Sequence, residues 1–505
     1  MEEHTEDKMP KYLNIKIPKH LRDKIPKPSP FAIGLGKYLK FKITNSKFHI
    51  PKFKFQNPSS KSQISNMKNH EYESRSTSTS FKLDWIDEFV RKVKPYIYVR
   101  ELDKLLILIP NQAYKLNESG TSMLGFLLKG HSINEFLSVV GNTEEKRKEI
   151  YYFFCDLRAA VKGCLREDEK REAVTYYEFN SDFNEYPVLS EIAVTYRCNL
   201  NCKFCYVGDK NYGELNTSDT KKLLFKIYNE AHVPSVSFTG GEPLLRHDIC
   251  ELVAYSSHIG LWTNLITNGT LLNAAIVKEL KKAGLSSAQV SIEGPEPTIH
   301  DNITGVQGSF DATVAGIKLL RDADIPVHTN TTVSRDNLNH LEGILLLAKK
   351  IGLKRLSMNL LIPCGSALDK KALWVSYSEI GEYILQLKHG AEKEDMKFLW
   401  YSPVPMCEFN PISYGFGNKS CAAITGLLSI DPLGNIIPCS SWRMPVGSLL
   451  KKSFNAIWRS SMLSYFKNIE YAPDKCHECL HFDICKGGCP LYWAACGLKE
   501  LDGKP

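Results

Sequence analysis

Three cysteines fall within eight residues of this chain, in Cys198-Asn199-Leu200-Asn201-Cys202-Lys203-Phe204-Cys205, directly after the apolar stretch Ile192-Ala193-Val194. Three thiolates on one short loop can hold three corners of a cubane 4Fe–4S cluster, and no fourth cysteine lies nearby to close the site. One iron would then stay open to a ligand. A structural zinc site wants four protein ligands, so the competing reading of this run is a degenerate zinc knuckle.

The run resembles the signature of the radical S-adenosylmethionine (SAM) superfamily, C-x3-C-x-aromatic-C, with Cys198, Cys202 and Cys205 in the ligand positions and Phe204 in the aromatic one. The resemblance implies that SAM chelates the open iron. The reduced cluster then cleaves SAM to methionine and a 5′-deoxyadenosyl radical, which abstracts a hydrogen atom. Farther along, Val236-Ser237-Phe238 runs into Thr239-Gly240-Gly241-Glu242-Pro243, a strand ending in a glycine turn whose bare backbone can approach a ligand. It looks like the family's GGEP motif for the methionyl ammonium, which assigns Gly240, Gly241, Glu242 and Pro243 to SAM.

Something must position these loops. Apolar, β-branched runs at 264–269, 288–294, 327–334 and 354–363 alternate with helical stretches, and with the two strands already named they make six βα units. Such alternation predicts a parallel sheet with helices outside it. The expected fold is α/β, and the resemblance implies that the sheet is a partial (β/α)6 barrel over residues 186–400, with its site at the carboxyl ends of the strands. Asn268, Ser291, Glu293, Asn330 and Thr332 fall at those ends. The resemblance makes Ser291 and Glu293 ribose contacts; otherwise these are polar strand-end residues satisfied by loops.

A second cysteine group lies near the carboxyl terminus. Cys421 is followed after twelve residues by Gly434 and after four more by Cys439; then come Cys476-x2-Cys479-x5-Cys485-x3-Cys489, and finally Cys496. The spacing is similar to the seven-cysteine SPASM pattern, placing a cysteine-rich iron–sulfur domain at 401–505. The resemblance assigns Cys476, Cys479, Cys485 and Cys496 to a distal auxiliary cluster and Cys421, Cys439 and Cys489 to a proximal one. Cys407 is the candidate fourth proximal ligand; the alternative is an open proximal cluster. Three 4Fe–4S clusters and SAM are the implied cofactors, with flavodoxin or ferredoxin as electron donor. Residues 1 to 30 have no apolar core of the secretory kind, so the expected location is a reducing cytoplasm, where disulfides are rare. Paired zinc sites would accept the C-x2-C pairs but give no reason for the glycine-spaced loop from Cys421 to Cys439. Cys155, Cys164 and Cys250 read as small buried apolar residues. Cys364 ends the sixth strand unit; some peptide epimerases of the superfamily return a hydrogen atom from such a thiol.

The 505 residues suffice for several domains, and no run of about eighteen apolar residues predicts a membrane span. The net charge of +8 suggests nucleic acid until it is located. Residues 1–80 hold 16 Lys/Arg against 7 Asp/Glu, leaving residues 81–505 close to neutral, which argues against nucleic acid as partner. The basic segment, rich in Lys, Pro and Ser and closing on Ser74 to Ser80, reads as a flexible extension and linker.

Residues 81–175 read as a separate winged-helix-like unit. Strands are expected at 96–100, 105–110 and 113–117, then helices at 119–129, 132–140 and 144–162. Pro110, Leu116-Asn117, Gly120 and Gly130-His131-Ser132-Ile133-Asn134-Glu135 resemble the RiPP recognition element, which captures the leader of a ribosomally made precursor peptide. A generic winged helix that braces the barrel is the plainer alternative. The expected function is a radical SAM peptide maturase that crosslinks, forms thioethers or epimerises. The competitors are a small-molecule enzyme of cofactor or haem biosynthesis and a non-catalytic iron–sulfur scaffold.

Overall fold

The computed structural model describes residues 81–109, 112–161, 185–208 and 210–504. The basic extension with its Ser74 to Ser80 linker, together with Pro110, Lys162 and Cys164, lies outside the described residues.

The chain from Phe81 begins with the helix Ile86–Val93, whose buried Ile86, Val90 and Val93 recur at helical spacing. Strands β1 (Ile97–Arg100), β2 (Leu105–Leu108) and β3 (Gln112–Lys115) form an antiparallel sheet with β2 central. All four β2 residues are buried because the strand is covered on both faces. Leu106 and Leu108 join the core of the helices, while Leu105 and Ile107 pack on Val188, just ahead of the barrel.

Three helices follow, Glu118–Leu128, Ile133–Val140 and Glu144–Val161, close to the expected bounds. Each of the first two starts on a cap: Asn117 Oδ1 accepts from Gly120 N at 2.7 Å, and Ser132 with Glu135 forms a reciprocal capping box. Gly120 is required there, since a Cβ would sit 2.5 Å from the Phe153 ring.

A buried ion pair ties this module to the barrel. Arg100 Nε lies 2.8 Å from Asp103 Oδ1, and both side chains are almost fully buried. The guanidinium also donates to the carbonyls of Pro187 at 2.7 Å, Tyr186 at 3.0 Å and His232 at 3.2 Å, and Asp103 Oδ2 accepts from Glu185 N. Asp103→Ala leaves a buried guanidinium uncompensated and is expected to cost about 3–5 kcal/mol. The urea midpoint checks this, and limited proteolysis should then cut between module and barrel.

The main sheet has ten strands. β4 (Leu189–Thr195), β5 (Ser235–Gly240), β6 (Trp262–Thr267), β7 (Ser287–Ser291), β8 (Val327–Val333) and β9 (Arg355–Leu360) are the six expected strands, in sequence order and parallel. A seventh parallel strand, β10 (Lys397–Trp400), extends the sheet beyond β9. On the opposite edge β11 (Leu427–Ile430) pairs parallel to β4, followed by β12 (Asn435–Ile437) and β13 (Gly447–Ser448). The cysteine-rich region therefore continues the barrel's own sheet. With β10 and β13 at its two ends, the sheet stays open. Among the described residues no helix is long and apolar enough to cross a membrane.

Candidate functional site

Parallel strands put the carboxyl ends of β4 to β9 on one rim, and the cysteine loop leaves β4 there. Two backbone bonds pin it to the end of the helix Pro297–Thr304: Asn201 N donates to Thr304 O at 2.8 Å and Lys203 N to Ile303 O at 2.9 Å. Phe204 packs against Leu361, Ala367 and Leu373 beyond β9. Its aromatic ring thus sets the loop against the last barrel connection.

The GGEP turn braces the same loop from the other side. Gly241 N donates to Thr195 O and Glu242 N to Arg197 O, both at 2.8 Å, while Gly240 O accepts from the Tyr206 hydroxyl at 2.7 Å. A Cβ on Gly240, whose φ is +134°, would stand 2.0 Å from Thr195 O, and one on Gly241 2.2 Å from Arg197 O. The bare glycine backbone is thus used against protein backbone. Glu242 is likewise engaged within the chain: its carboxylate accepts from Leu244 N at 3.0 Å, Thr267 Oγ1 at 2.8 Å and Asn268 N at 2.8 Å. Buried Pro243 opens the 3-10 turn that follows. Asn268 in turn reaches the cysteine loop, its Nδ2 lying 2.9 Å from Asn199 Oδ1 and 3.9 Å from Cys198 Sγ.

Glu293 is buried, takes a hydrogen bond from Thr332 N at 2.9 Å, and faces Cys202 closely enough to raise that thiol further. Burial pushes Glu242 up to about 7 and Glu293 up to about 8. The folded chain therefore holds protons that the unfolded chain releases near pH 4.5. Stability should fall as pH rises from about 4.5 to 7, by roughly 3 kcal/mol for Glu242, with Glu293 extending the decline to about 8. Urea unfolding of the cluster-free chain between pH 5 and 8 checks the slope, which Glu242→Gln should reduce.

Ser291 and Asn330 are register partners, as are Thr332 and Asn359, so these side chains share one face of the sheet. Asn330 is already bonded, donating to Asn359 Oδ1 at 2.7 Å and accepting from Ser357 Oγ at 2.9 Å. Residues absent from the sequence reading complete this polar face. Asn264 links Ser237 and Ser287, and Glu191 accepts from the hydroxyls of Ser429 and Ser440. The available signal was a polar residue at every second position of strands otherwise buried.

The carboxyl-terminal thiols form two neighbourhoods. Cys421, Cys439 and Cys489 are gathered together; burial raises all three, and the neighbouring thiols raise Cys439 and Cys489 further. Cys476 is surrounded by Cys485, Cys407 and Cys479. Cys407 therefore departs from expectation: it lies with the distal group, where Met406 N donates to Cys485 Sγ at 3.3 Å, and not with the proximal trio. The turn after Pro405 carries it there. Cys496 neighbours Tyr492, one turn back on the helix Pro490–Cys496, and Glu500. Cys155 and Cys250 sit half-buried on helices. Among the described residues no three His, Cys, Asp or Glu side chains close on a single-ion site. The donor chemistry, soft thiols in sets of three and four with none in a disulfide, suits iron–sulfur clusters.

Two family models match the chain: the radical SAM superfamily over residues 192–348 and an iron–sulfur cluster-binding SPASM domain over residues 421–480. An AdoMet-dependent heme synthase of Nitratidesulfovibrio vulgaris is 31% identical over 315 residues, 59% of this chain and 85% of that protein. A PqqA peptide cyclase of Bradyrhizobium diazoefficiens is 28% identical over 315 residues, 60% of this chain and 81% of that protein. The crystal structure of Streptococcus suis SuiB bound to precursor peptide SuiA shares the fold with a TM-score of 0.57 at 16% identity, covering 78% of this chain and 94% of that one. The cysteine loop at the β4 rim, matched by family and fold alike, makes this chain a member of the radical SAM superfamily, an enzyme with a SPASM domain whose cofactors are SAM and iron–sulfur clusters.

Proposed function

We propose that this enzyme is a peptide maturase, with residues 81–175 as the unit that binds the leader of a precursor peptide. The observation that carries this reading is the extent of the likeness to SuiB. Its 78% coverage exceeds what residues 186–505, under two thirds of the chain, can supply, so the likeness takes in part of the chain ahead of the barrel. The heme synthase and cyclase matches cover about three fifths of the chain. In this reading Cys198, Cys202 and Cys205 hold the cluster that binds SAM, the carboxyl-terminal thiols from Cys407 to Cys496 hold two auxiliary clusters, and the polar face from Glu191 to Asn359 receives the peptide. Glu242 and Asn268 act by positioning the cysteine loop, and Glu293 lies between that loop and β8.

The 31% identity to heme synthases favours a second reading, a tetrapyrrole substrate. The two differ in whether a peptide binds. β3 is an edge strand with its side chains half exposed, so a leader can add to it through backbone hydrogen bonds. Peptides encoded beside the gene should bind the full chain in calorimetric titration. A proline placed midway in the bound leader removes a donor and should weaken binding by about 1–3 kcal/mol, or roughly five- to a hundred-fold. Absence of binding by every such peptide contradicts the maturase reading.

A further inference from the structure

We propose that Cys364, from the barrel, supplies the fourth thiolate to the auxiliary cluster held by Cys421, Cys439 and Cys489. The three SPASM-side thiols leave one corner of a cubane unfilled, and Cys407 is engaged with the other group. The loop after β9 carries Cys364 toward that trio, with Cys489 among its electrostatic neighbours on one side and Cys205 on the other.

That loop is held with little freedom. Gly365, at φ +53°, lies so close to the cysteine loop that a Cβ would stand 2.4 Å from Cys205 O and 2.5 Å from Tyr206 O. Ser366 N donates to Cys205 O at 2.8 Å, and Gly208 meets Gly365 in turn, with only 3.5 Å between a built Cβ and the Gly365 Cα. Two left-handed glycines thus clamp the backbone on the carboxyl side of Cys364 against the third cysteine of the SAM loop. Toward the other module, the Cys364 thiol is hydrogen-bonded with the Ser441 side chain, two residues beyond Cys439, and Cys489 lies in its electrostatic neighbourhood. Cys364 therefore stands between the two cysteine groups.

As the Fe–S bond forms, the thiol releases its proton to solvent and no electron is transferred. A ligating Cys364 has no hydrogen atom to return, so this assignment replaces the hydrogen-donor role that the sequence suggested. It also ties barrel to SPASM module through the cluster, one hydrogen bond from the backbone of Cys205.

The test uses the full chain, anaerobically reconstituted with 57Fe and sulfide, in a background where Cys198, Cys202 and Cys205 are Ala so that only auxiliary clusters report. In that background, Mössbauer spectra should show every auxiliary iron in all-sulfur coordination. A unique iron with a non-sulfur ligand, in the cluster that Cys421→Ala removes, would overturn the proposal even if no Cys364 variant folds. Cys364→Ala, with the near-isosteric Cys364→Ser as the check on folding, should change the spectrum of that same cluster and make roughly a quarter of its iron labile. Cys407→Ala should change the other cluster. An unaltered spectrum in both Cys364 variants, with Cys407→Ala changing the Cys421 cluster instead, refutes the assignment.

Discussion

Replacing Cys198, Cys202 and Cys205 together with Ala is expected to abolish 5′-deoxyadenosine formation from SAM and dithionite. These thiols are the only cysteines on the β4 loop, and both sides of that loop are fixed by other contacts: the helix end at Ile303 and Thr304, and the GGEP turn at Gly240 and Glu242. The triple variant should therefore fold with its sheet intact while losing the thiols proposed to hold the SAM-binding cluster. Loss of a residue that only orients a metal ligand costs about 10–100-fold; loss of all three ligands should exceed that and leave no product above background. Circular dichroism verifies the fold and chromatography the product. Product at the native rate would exclude this loop as the SAM site.

The second large effect is structural. Gly240→Ala puts a Cβ 2.0 Å from Thr195 O, on a residue whose φ of +134° L side chains rarely adopt. Both partners are strand backbone, so relief requires β5 to separate from β4, where Thr195 and Gly240 are register partners. The expected cost is about 4 kcal/mol or more, at the far end of single substitutions. The cysteine loop should lose its brace, and iron incorporation at that site should fall with it. Gly308→Ala is the control: φ is +80° there, but nothing lies within 4 Å of the added carbon. It should cost only about 1–2 kcal/mol. Urea midpoints and iron content separate the two.

The barrel was legible because its strands repeat apolar runs between helices, and the cysteine loop because ligand spacing is local. β10 escaped notice because four residues, Lys397–Trp400, carry too little period to distinguish strand from helix end. β11 is recognisable only through its partner β4, more than two hundred residues away. The same distance problem governs the thiols. Spacing along the chain says that Cys407 lies near the SPASM cysteines, but the turn after Pro405 decides which group it joins. Glu242 and Asn268 stood out by motif and position, whereas their hydrogen bonds to Thr267, Asn199 and the Leu244 amide depend on the packing of β5 beside β6. Arg100, at the end of an expected strand, and Asp103, between two expected strands, carry no local sign of burial; only the docking of the first module on Tyr186, Pro187 and His232 makes them a buried pair.

The most direct measurement incubates the reduced, reconstituted enzyme and SAM with two kinds of substrate, short peptides encoded beside its gene and an iron porphyrin, followed by mass spectrometry and chiral analysis of the products. The maturase account predicts 5′-deoxyadenosine together with a peptide altered in mass or in residue chirality, and an unchanged porphyrin. Conversion of the porphyrin, with every peptide recovered unmodified, would contradict it.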